Sequence, residues 1–341
     1  MSATPPDKQP DADAAQEQVL GVTGVRQAGG GLASAPVAGA AGRRPVRRSA
    51  RHGVADQVRG ARWWRELGWR HAVGIVAVVY ALVPVLYLFS ASVNPVGSIA
   101  TTELVPRDFS LVWFSELGNN PQRPFYRWLA NTVTVAAVVV VVQIFFSTLA
   151  AFAFSRLRFK GRRPGLLSLL LIQMFPQVLA TVALFRIFSA VGQVVPAFGL
   201  DTLAGYILVM LGASLGQVWL IKGAFDSIPR ELDEAAKIDG AGHAGLFFRI
   251  LLPLLRPVLV VTGLLVFVSV IAEFMLASIF LRSTDVKTVS VGMYGVLLGD
   301  MSNNLGWFAA ASVVVALPVI LLFQYLQRYI VGGITAGSVK G

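Results

Sequence analysis

The sequence predicts an all-α, polytopic membrane protein with six transmembrane helices, and two observations support this fold class. Of the 341 residues, 55% are hydrophobic and only 14% are charged, and the apolar residues come in long blocks rather than at amphipathic spacing. Six blocks reach the roughly 20 apolar residues that a helix needs to cross a bilayer core of about 30 Å. These predicted spans cover residues 71–92, 132–154, 166–188, 202–221, 257–281 and 307–331.

The segment before the first span, residues 1–60, has a different composition. It is rich in Ala, Gly, Pro and Arg with almost no aromatic residues, so it cannot bury enough apolar surface to offset the entropy of ordering. Its opening, MSATPPDKQPDADAAQEQVL, is acidic and proline-rich, unlike a cleavable signal peptide. We therefore expect a disordered tail at 1–60 and one six-span domain at 61–341.

The stretch that leads into the first span is basic and contains only two acidic residues, Asp56 and Glu66. A basic run beside a first span typically fixes cytoplasmic orientation and contacts anionic lipid. Nucleic-acid binding is the weaker alternative, and no nucleic-acid partner is expected. The arginines of this stretch are Arg43, Arg44, Arg47, Arg48, Arg51, Arg59, Arg62, Arg65 and Arg70.

The loops between the spans give the orientation. The string SRLRFKGRR between spans two and three is basic, whereas AVGQVVPAFGLD between spans three and four contains no Lys or Arg. Lys and Arg in short loops mark the cytoplasmic side. Both termini are therefore predicted to be cytoplasmic, as is the segment 223–253 between spans four and five.

This cytoplasmic segment begins DSIPRELDEAAKIDG, which predicts a short helix. Pro229 suits a first turn, and the acidic residues after it suit the positive end of the helix dipole. Asp239 and Gly240 predict the end of the helix. On 3.6-residue spacing one face carries Leu232, Ala235, Ala236 and Asp239.

A second amphipathic piece, HAGLFFRILL, follows before Pro253. It presents Leu246, Phe247, Ile250 and Leu251 to apolar neighbours. The segment 223–253 could lie on lipid headgroups, but interfacial helices usually carry Lys and Arg on the polar face. Because the first half here is acidic, docking on a partner protein is favoured.

Several chemistries are disfavoured. The chain has no cysteine and three scattered histidines, so a thiolate metal site or a zinc hydrolase is not expected. Asp201 and Asp300 lie at or beyond span ends, which disfavours an aspartyl intramembrane protease. No Walker A string occurs, so any ATP hydrolysis belongs to another subunit. A membrane-embedded enzyme remains a remote alternative.

A few residues inside the predicted spans are candidates for function. Glu273 lies at membrane depth, where an unpaired charge costs about 2.5 to 3.5 kcal/mol, so it lines a translocation path or fixes helix packing. Pro176, between Gln173 and Gln177, predicts a kink in the third span that serves opening or static packing, and these three residues are, like Glu273, candidates for the path or for packing. Gly212 and Gly216 form a small-xxx-small pattern typical of a close helix interface.

The segment 223–253 carries a recognisable signature. Its order is Glu234-Ala235-Ala236, three residues, Gly240, nine residues, Ile250, one residue and Leu252-Pro253. This pattern resembles the EAA motif of permease subunits in bacterial binding-protein-dependent ABC importers. The strings SRLRFKG, LIQMFPQVLATVALF, WLIKGAFDSIP and GGITAGSVKG are similar to permeases of maltose/maltodextrin importers, and the likeness covers roughly residues 70–341.

The resemblance implies an importer permease in the bacterial plasma membrane. The EAA segment would couple to the ATPase through Glu234, Ala235, Ala236, Asp239, Gly240, Ile250, Leu252 and Pro253. Implied partners are a second homologous permease, two ATPase subunits and an extracytoplasmic solute-binding protein, with maltose/maltodextrin as substrate; trehalose, other glucosides and glycerol phosphate are the alternatives. No cofactor or metal is expected in this chain, and ATP and Mg belong to the ATPases. The loop LLGDMSNNLGW would reach the binding protein and GGITAGSVKG the ATPase.

Overall fold

The computed structural model describes residues 64–96, 98, 103–300 and 303–337. The tail at 1–60, two residues of the loop LLGDMSNNLGW and the end of GGITAGSVKG lie outside the described residues. So do the side chains of Gln177 and of residues 330–337. The described part of the chain contains helices and no strands, which confirms the all-α class.

Thirteen helices are distinguished in these ranges. Their bounds are α1 Trp69–Val93, α2 Val112–Asn119, α3 Phe125–Arg156, α4 Arg162–Met174, α5 Gln177–Val194, α6 Leu203–Leu211, α7 Val218–Ser227, α8 Glu231–Ile238, α9 His243–Leu254, α10 Arg256–Ala272, α11 Met275–Phe280, α12 Val289–Gly299 and α13 Leu305–Gly337. A π-helical turn precedes α1 at Trp64–Gly68, and another forms the middle of α9 at Leu246–Leu251.

Three of these helices, α1, α3 and α13, are long and apolar enough to cross a membrane alone. Two further pairs qualify together although they are bent, α4 with α5 by 95° and α9 with α10 by 74°. By length and composition the described residues therefore hold three crossings, or up to five if each bent pair is one span, against the six predicted.

The difference arises because three predicted spans are interrupted. The third breaks at Pro176, which lacks the N–H that a continuous helix would use. The fourth breaks in the turns at 212–217 between α6 and α7, so Gly212 and Gly216 do not share one helix face as predicted. The fifth ends as α10 at Ala272 and resumes as α11 after Glu273 and Phe274.

Helix α3 organises the fold. It packs against α6, α7, α10 and α12. In the middle of α3, its apolar side chains form one core cluster with α6, α10 and α11. The buried members are Val135, Ala136, Val139, Tyr206, Val209, Val266, Val270, Leu276, Ala277, Phe280 and Leu281. By contrast, α1 packs against α13 and buries only its last four residues.

Each end of α3 carries a further cluster. At its N-terminal end, a tryptophan cluster joins α2, α12 and α13 through Leu117, Phe125, Trp128, Val289, Met293, Val296, Trp307, Ala310 and Ala311. At its C-terminal end, a loop cluster joins α7, α8 and α9 through Ala151, Phe152, Val218, Ile221, Phe225, Ala236, Leu246, Phe247, Leu251 and Leu255. The loop cluster fixes the predicted cytoplasmic segment to the end of a long apolar helix.

Candidate functional site

The site begins with α8, whose ends follow from its sequence. Glu231, Asp233 and Glu234 fill the first turn and Lys237 the last, an arrangement that suits the helix dipole at both ends. The helix starts at Glu231, two residues after Pro229.

The end of α8 is a Schellman turn. Gly240 has φ +80°, its N–H donates to the Lys237 carbonyl over 3.0 Å, and the Ala241 N–H donates to the Ala236 carbonyl over 2.8 Å. A glycine adopts this left-handed conformation without steric cost. The predicted stop at Asp239 and Gly240 is therefore present.

The two faces of α8 differ in burial. Asp233 and Ala236 are buried, whereas Leu232 and Ala235 are exposed and Ile238 is 87% exposed. Of the four residues predicted to share one face, Leu232, Ala235 and Asp239 are exposed and Ala236 packs inward, and the docking role of this face stays a prediction. The carboxylate of Asp233 is buried because it meets a buried cation, and this turns the apolar positions outward. Leu232, Ala235 and Ile238 thus form an exposed apolar strip next to Glu234.

Helix α9 packs as its pattern predicts. Leu246, Phe247 and Leu251 are buried, and Ile250 and Leu252 pack against the loop cluster. The Phe247 ring meets the ring of Phe152 on α3 edge to face, with centroids 5.0 Å apart. Pro253 lies in the last turn of α9, directly before α10.

Polar contacts tie the same region to the last turn of α3. The Ser155 hydroxyl donates to Asp226 Oδ1 over 2.6 Å, and Arg156 Nη2 donates to the Ile228 carbonyl over 2.8 Å. Burial opposes the ionisation of Asp226, but hydrogen bonds from Lys222 and Ser155 outweigh it and hold the pKa of this carboxyl below its usual value. The aspartate therefore stays charged at neutral pH and keeps these bonds.

Two concave surfaces flank the turn between α8 and α9. One, of about 510 Å³, is lined by small residues and by Phe248 and Arg249. The other, of about 460 Å³, is mainly basic and is lined by Arg156, Leu157, Arg158, Arg230, Asp233, Glu234, Lys237 and His243. The α8–α9 segment therefore presents two concave surfaces and, on α8, the exposed apolar strip.

Sequence comparison identifies the protein family. Residues 143–335 match the family described as binding-protein-dependent transport system inner membrane component. The chain belongs to this family. The match spans the C-terminal part of α3, all of α4 to α12 and most of α13, and so includes the α8–α9 segment. The protein is therefore a membrane component of a transport system.

Individual relatives extend the match. The chain is 40% identical over 290 residues to a maltose/maltodextrin transport system permease protein MalG of Photorhabdus laumondii, covering 82% of this chain and 97% of the relative. It is 41% identical over 271 residues to the MalG of Vibrio vulnificus strain YJ016 (76% and 90%), and 38% over 283 residues to that of Escherichia coli K12 (80% and 95%).

A solved structure gives the same fold. A bacterial ABC transporter involved in the import of the acidic polysaccharide alginate contains a chain that superimposes with a TM-score of 0.64, covering 80% of this chain and 99% of that one at 24% identity. The present chain therefore shares the overall fold of that transporter chain.

Glu273 lies at the break between two helices of the permease and not within a continuous span. Its carboxylate accepts hydrogen bonds from the N–H groups of Leu276 (2.8 Å) and Ala277 (2.9 Å) and from the hydroxyl of buried Tyr206 (2.8 Å). It thus caps the first turn of α11, where a carboxylate is stabilised by unpaired N–H groups. These contacts agree with the packing alternative for Glu273.

The other candidates in the predicted spans lie near helix ends or in turns. Gln173 is exposed near the end of α4, and Pro176 precedes α5. Neither side chain contacts Glu273 through a hydrogen bond in the described part of the chain. A role for Gln173, Pro176 and Gln177 in the path stays a prediction, as does an interface role for Gly212 and Gly216.

Sequence reasoning missed the structural role of Asp201. This residue has φ 59°, and Oδ1 accepts the N–H groups of Arg282 and Ser283 over 2.8 Å each. Burial opposes its ionisation, but hydrogen bonds from Ser283 and Arg282 outweigh it and lower the pKa of Asp201. The residue type suits a left-handed turn, but no local signal could name partners 81 and 82 residues away.

Proposed function

We propose that this chain is one permease subunit of an ATP-driven importer for maltose or maltodextrin and forms half of the translocation pathway with a second, homologous permease. Identities of 38–41% to relatives named as maltose/maltodextrin permeases, over nearly their whole length, support this substrate. Trehalose, other glucosides and glycerol phosphate are the alternative substrates. The alginate transporter supports the fold alone, at 24% identity.

The α8–α9 segment is the element that docks on the ATPase. The observation that carries this assignment is the exposed apolar strip of Leu232, Ala235 and Ile238 on a helix fixed to the end of α3. An exposed apolar patch on a segment outside the predicted spans favours a contact with another protein. ATP and Mg are bound and used by two ATPase subunits, whose closure moves this segment and switches the spans between inward- and outward-facing states.

Six crossings with both termini in the cytoplasm fit the contacts at the two ends of α3. Its 32 residues extend about 48 Å, more than the bilayer core. Trp128 and Thr132 near its start bind Thr284 and Val289, whereas Ser155 near its end binds Asp226. Asp201, just before α6, binds Ser283, which is next to Thr284 and therefore close to the start of α3. Asp226 of α7 binds the opposite end of α3. Helices α6 and α7 together therefore run from one end of α3 to the other despite the break between them.

The remaining assignments follow from this topology. The solute-binding protein meets the face that carries Asp201 and the loop LLGDMSNNLGW, and delivers sugar there. Glu234, Ala235, Ala236, Asp239, Gly240, Ile250, Leu252 and Pro253 form the ATPase contact and its support. The basic tail at 1–60 lies in the cytoplasm of a bacterial cell against anionic lipid.

The test is purification of the chain with its partners in mild detergent, followed by ATPase assays with loaded binding protein. We expect an ATPase and a second permease to co-purify, and stimulation by maltose or maltodextrin. Ile238→Glu should reduce retention of the ATPase about tenfold or more, because it places a charge in an apolar contact. Val105→Glu, also at an exposed apolar residue, is the matched control and should retain the ATPase.

The outcomes separate the parts of this proposal. Stimulation by another sugar would keep the importer and reject maltose. Equal retention of the ATPase by wild type and Ile238→Glu would reject the assignment of the exposed strip. If wild-type protein retained no ATPase in an intact preparation, the coupling role of α8–α9 would be wrong.

A further inference from the structure

We propose that Arg156 is a positioning residue that transmits the displacement of α8 to the membrane-spanning helix α3. The inference rests on the proposed coupling role of α8–α9 and adds the residue through which that role reaches the spans. It is drawn from the side-chain contacts that hold α8.

The apolar attachment of α8 is slight. The helix contributes one residue, Ala236, to the loop cluster, whereas α9 contributes Leu246, Phe247 and Leu251. Burial of an alanine side chain removes little apolar surface from water, so it stabilises the contact with a neighbour only weakly. Apolar packing therefore holds α9 firmly and α8 poorly.

The polar attachment of α8 to α3 is a single buried ion pair. Arg156 Nε lies 3.0 Å from Asp233 Oδ2, and the two side chains are only 4% and 11% exposed. In the described part of the chain, this is the one polar side-chain contact that α8 makes with another helix. Attraction between opposite charges is strong where water is excluded, so the pair resists separation when α8 moves.

Arg156 also holds the chain just before α8. Its Nη2 donates to the carbonyl of Ile228 over 2.8 Å, while Nε faces Asp233 in the first turn. The planar guanidinium thus fixes both the entry to α8 and α8 itself. Arg156 Nε and Asp233 Oδ1 are both buried without a hydrogen-bond partner among the described residues, so each charge depends on the nearness of the other.

The position of Arg156 on α3 suits transmission. It is the last residue of that helix, and the residue before it, Ser155, binds Asp226 of α7. At the other end of α3, the Trp128 indole donates to the Thr284 carbonyl and the Thr132 hydroxyl accepts the Val289 N–H. A movement imposed on α8 is therefore transmitted to α3, a long helix that is hydrogen-bonded to other segments at both ends.

The test compares Arg156→Gln with wild type in the complete transporter, reconstituted in liposomes with ATPase, second permease and loaded binding protein. We expect the complex to assemble, and its unstimulated ATPase activity is measured as the reference for the stimulated rate. Stimulation by binding protein and sugar transported per ATP should fall about tenfold, because coupling mutations of this kind act on the link between sites. Loss of transport per ATP is a readout that a merely destabilised subunit would not give.

Two further variants sharpen the comparison. Arg127→Gln breaks an exposed ion pair with Asp285 near the start of α3 and should leave coupling within about twofold of wild type, as expected for a surface pair. The double variant Arg156→Gln with Asp233→Asn removes both charges and should restore part of the coupling lost by Arg156→Gln, because no uncompensated carboxylate is left buried.

The results decide as follows. An assembled Arg156→Gln complex with wild-type stimulation and transport per ATP would overturn the proposal while leaving the coupling role of α8–α9 intact. If Arg156→Gln does not insert, Arg156→Lys decides, since it keeps the charge but not the fork that also reaches Ile228: reduced coupling supports the proposal and full coupling overturns it. A wild-type chain that retains no ATPase would overturn the proposed function and this inference together.

Discussion

Gly292 on α12 lies directly against the indole ring of Trp128, and this contact gives a sharp prediction at the scale of one residue. A Cβ atom at Gly292 would lie 2.1 Å from Trp128 Cε3, far inside contact distance. Because Trp128 is buried and its indole N–H is bound to the Thr284 carbonyl, the ring cannot easily move. Gly292→Ala should lower the free energy of unfolding by about 1–3 kcal/mol through overpacking.

Gly295 provides the matched control for this prediction. It lies on the same helix, and a Cβ added there meets no atom within 4 Å. Gly295→Ala should be neutral or stabilise by up to about 1 kcal/mol, because alanine favours helix. Thermal unfolding of the detergent-solubilised protein, followed by size-exclusion chromatography, measures both. Equal melting temperatures for the two variants would contradict the predicted contact.

Asp201 gives a second residue-scale prediction. Asp201→Ala removes the acceptor for the Arg282 and Ser283 N–H groups and places alanine at φ 59°, so stability should fall by about 1–3 kcal/mol. Asp201→Asn keeps an acceptor and tolerates this conformation, and should lose less. Since the pKa of Asp201 is lowered by folding, its ionic contribution is present at neutral pH and is lost as pH falls through that lowered pKa.

The same melting assay, repeated from neutral to acid pH, checks the sign. The difference between wild type and Asp201→Asn should shrink toward acid pH. A difference that grows on acidification would show that Asp201 is not held as a carboxylate by Ser283 and Arg282.

At the scale of elements, the break between α10 and α11 depends on Glu273. Glu273→Ala would leave the N–H groups of Leu276 and Ala277 without their acceptor and should cost about 1–2 kcal/mol, as for other lost helix caps. Glu273→Gln retains an acceptor oxygen and should cost less, with no change in sugar preference. Tyr206→Phe isolates the third hydrogen bond.

Uptake assays with several sugars accompany the stability measurements on these variants. An altered sugar preference in Glu273→Gln, with normal melting, would contradict the capping role and favour the alternative in which Glu273 lines the translocation path.

The helical elements differ in how far sequence reasoning could predict them. The ends of α8 were predictable because their signals are local. The acidic residues stabilise the first turn of the helix to which they belong, and Asp239 and Gly240 directly follow its last turn. The burial of Asp233 was not predictable, because it depends on Arg156, a residue 77 positions earlier in the chain. The break at Glu273 was also missed, because hydropathy detects an apolar run and gives no sign that a carboxylate caps a helix within it.

At the scale of the whole molecule, the family was predictable because the EAA pattern combines several fixed spacings in one segment. The crossings were harder to count, since hydropathy averages over Pro176, Gly212 and Glu273 and reports continuous spans where the chain is broken. The contacts of α3 supply what hydropathy lacks. Asp226 and Asp233 meet its C-terminal end, while Thr284 and Val289 meet residues near its start.

These contacts make a prediction about sidedness that is easily measured, because the chain contains no cysteine and any single introduced cysteine is unique. If α6 and α7 together cross the membrane, Lys237→Cys lies on the same side as Lys160→Cys and opposite Gln122→Cys. In intact cells a membrane-impermeant maleimide should label Gln122→Cys alone, and inverted membrane vesicles should reverse the pattern. A cysteine covered by a partner subunit would also escape labelling. As a control, the labelling is repeated in detergent.

If the chain crosses the membrane five times, the expected labelling differs at one position, Lys237→Cys. With only five crossings, α6 and α7 would return to the side from which they started, and Lys237→Cys would label with Gln122→Cys from outside. Helix α8 could then not meet a cytoplasmic ATPase, and its contacts with the end of α3 would have to be wrong as well. Because Ser155 and Arg156 bind Asp226 and Asp233 at the end of α3 opposite Trp128 and Thr132, we expect Lys237→Cys to label with Lys160→Cys.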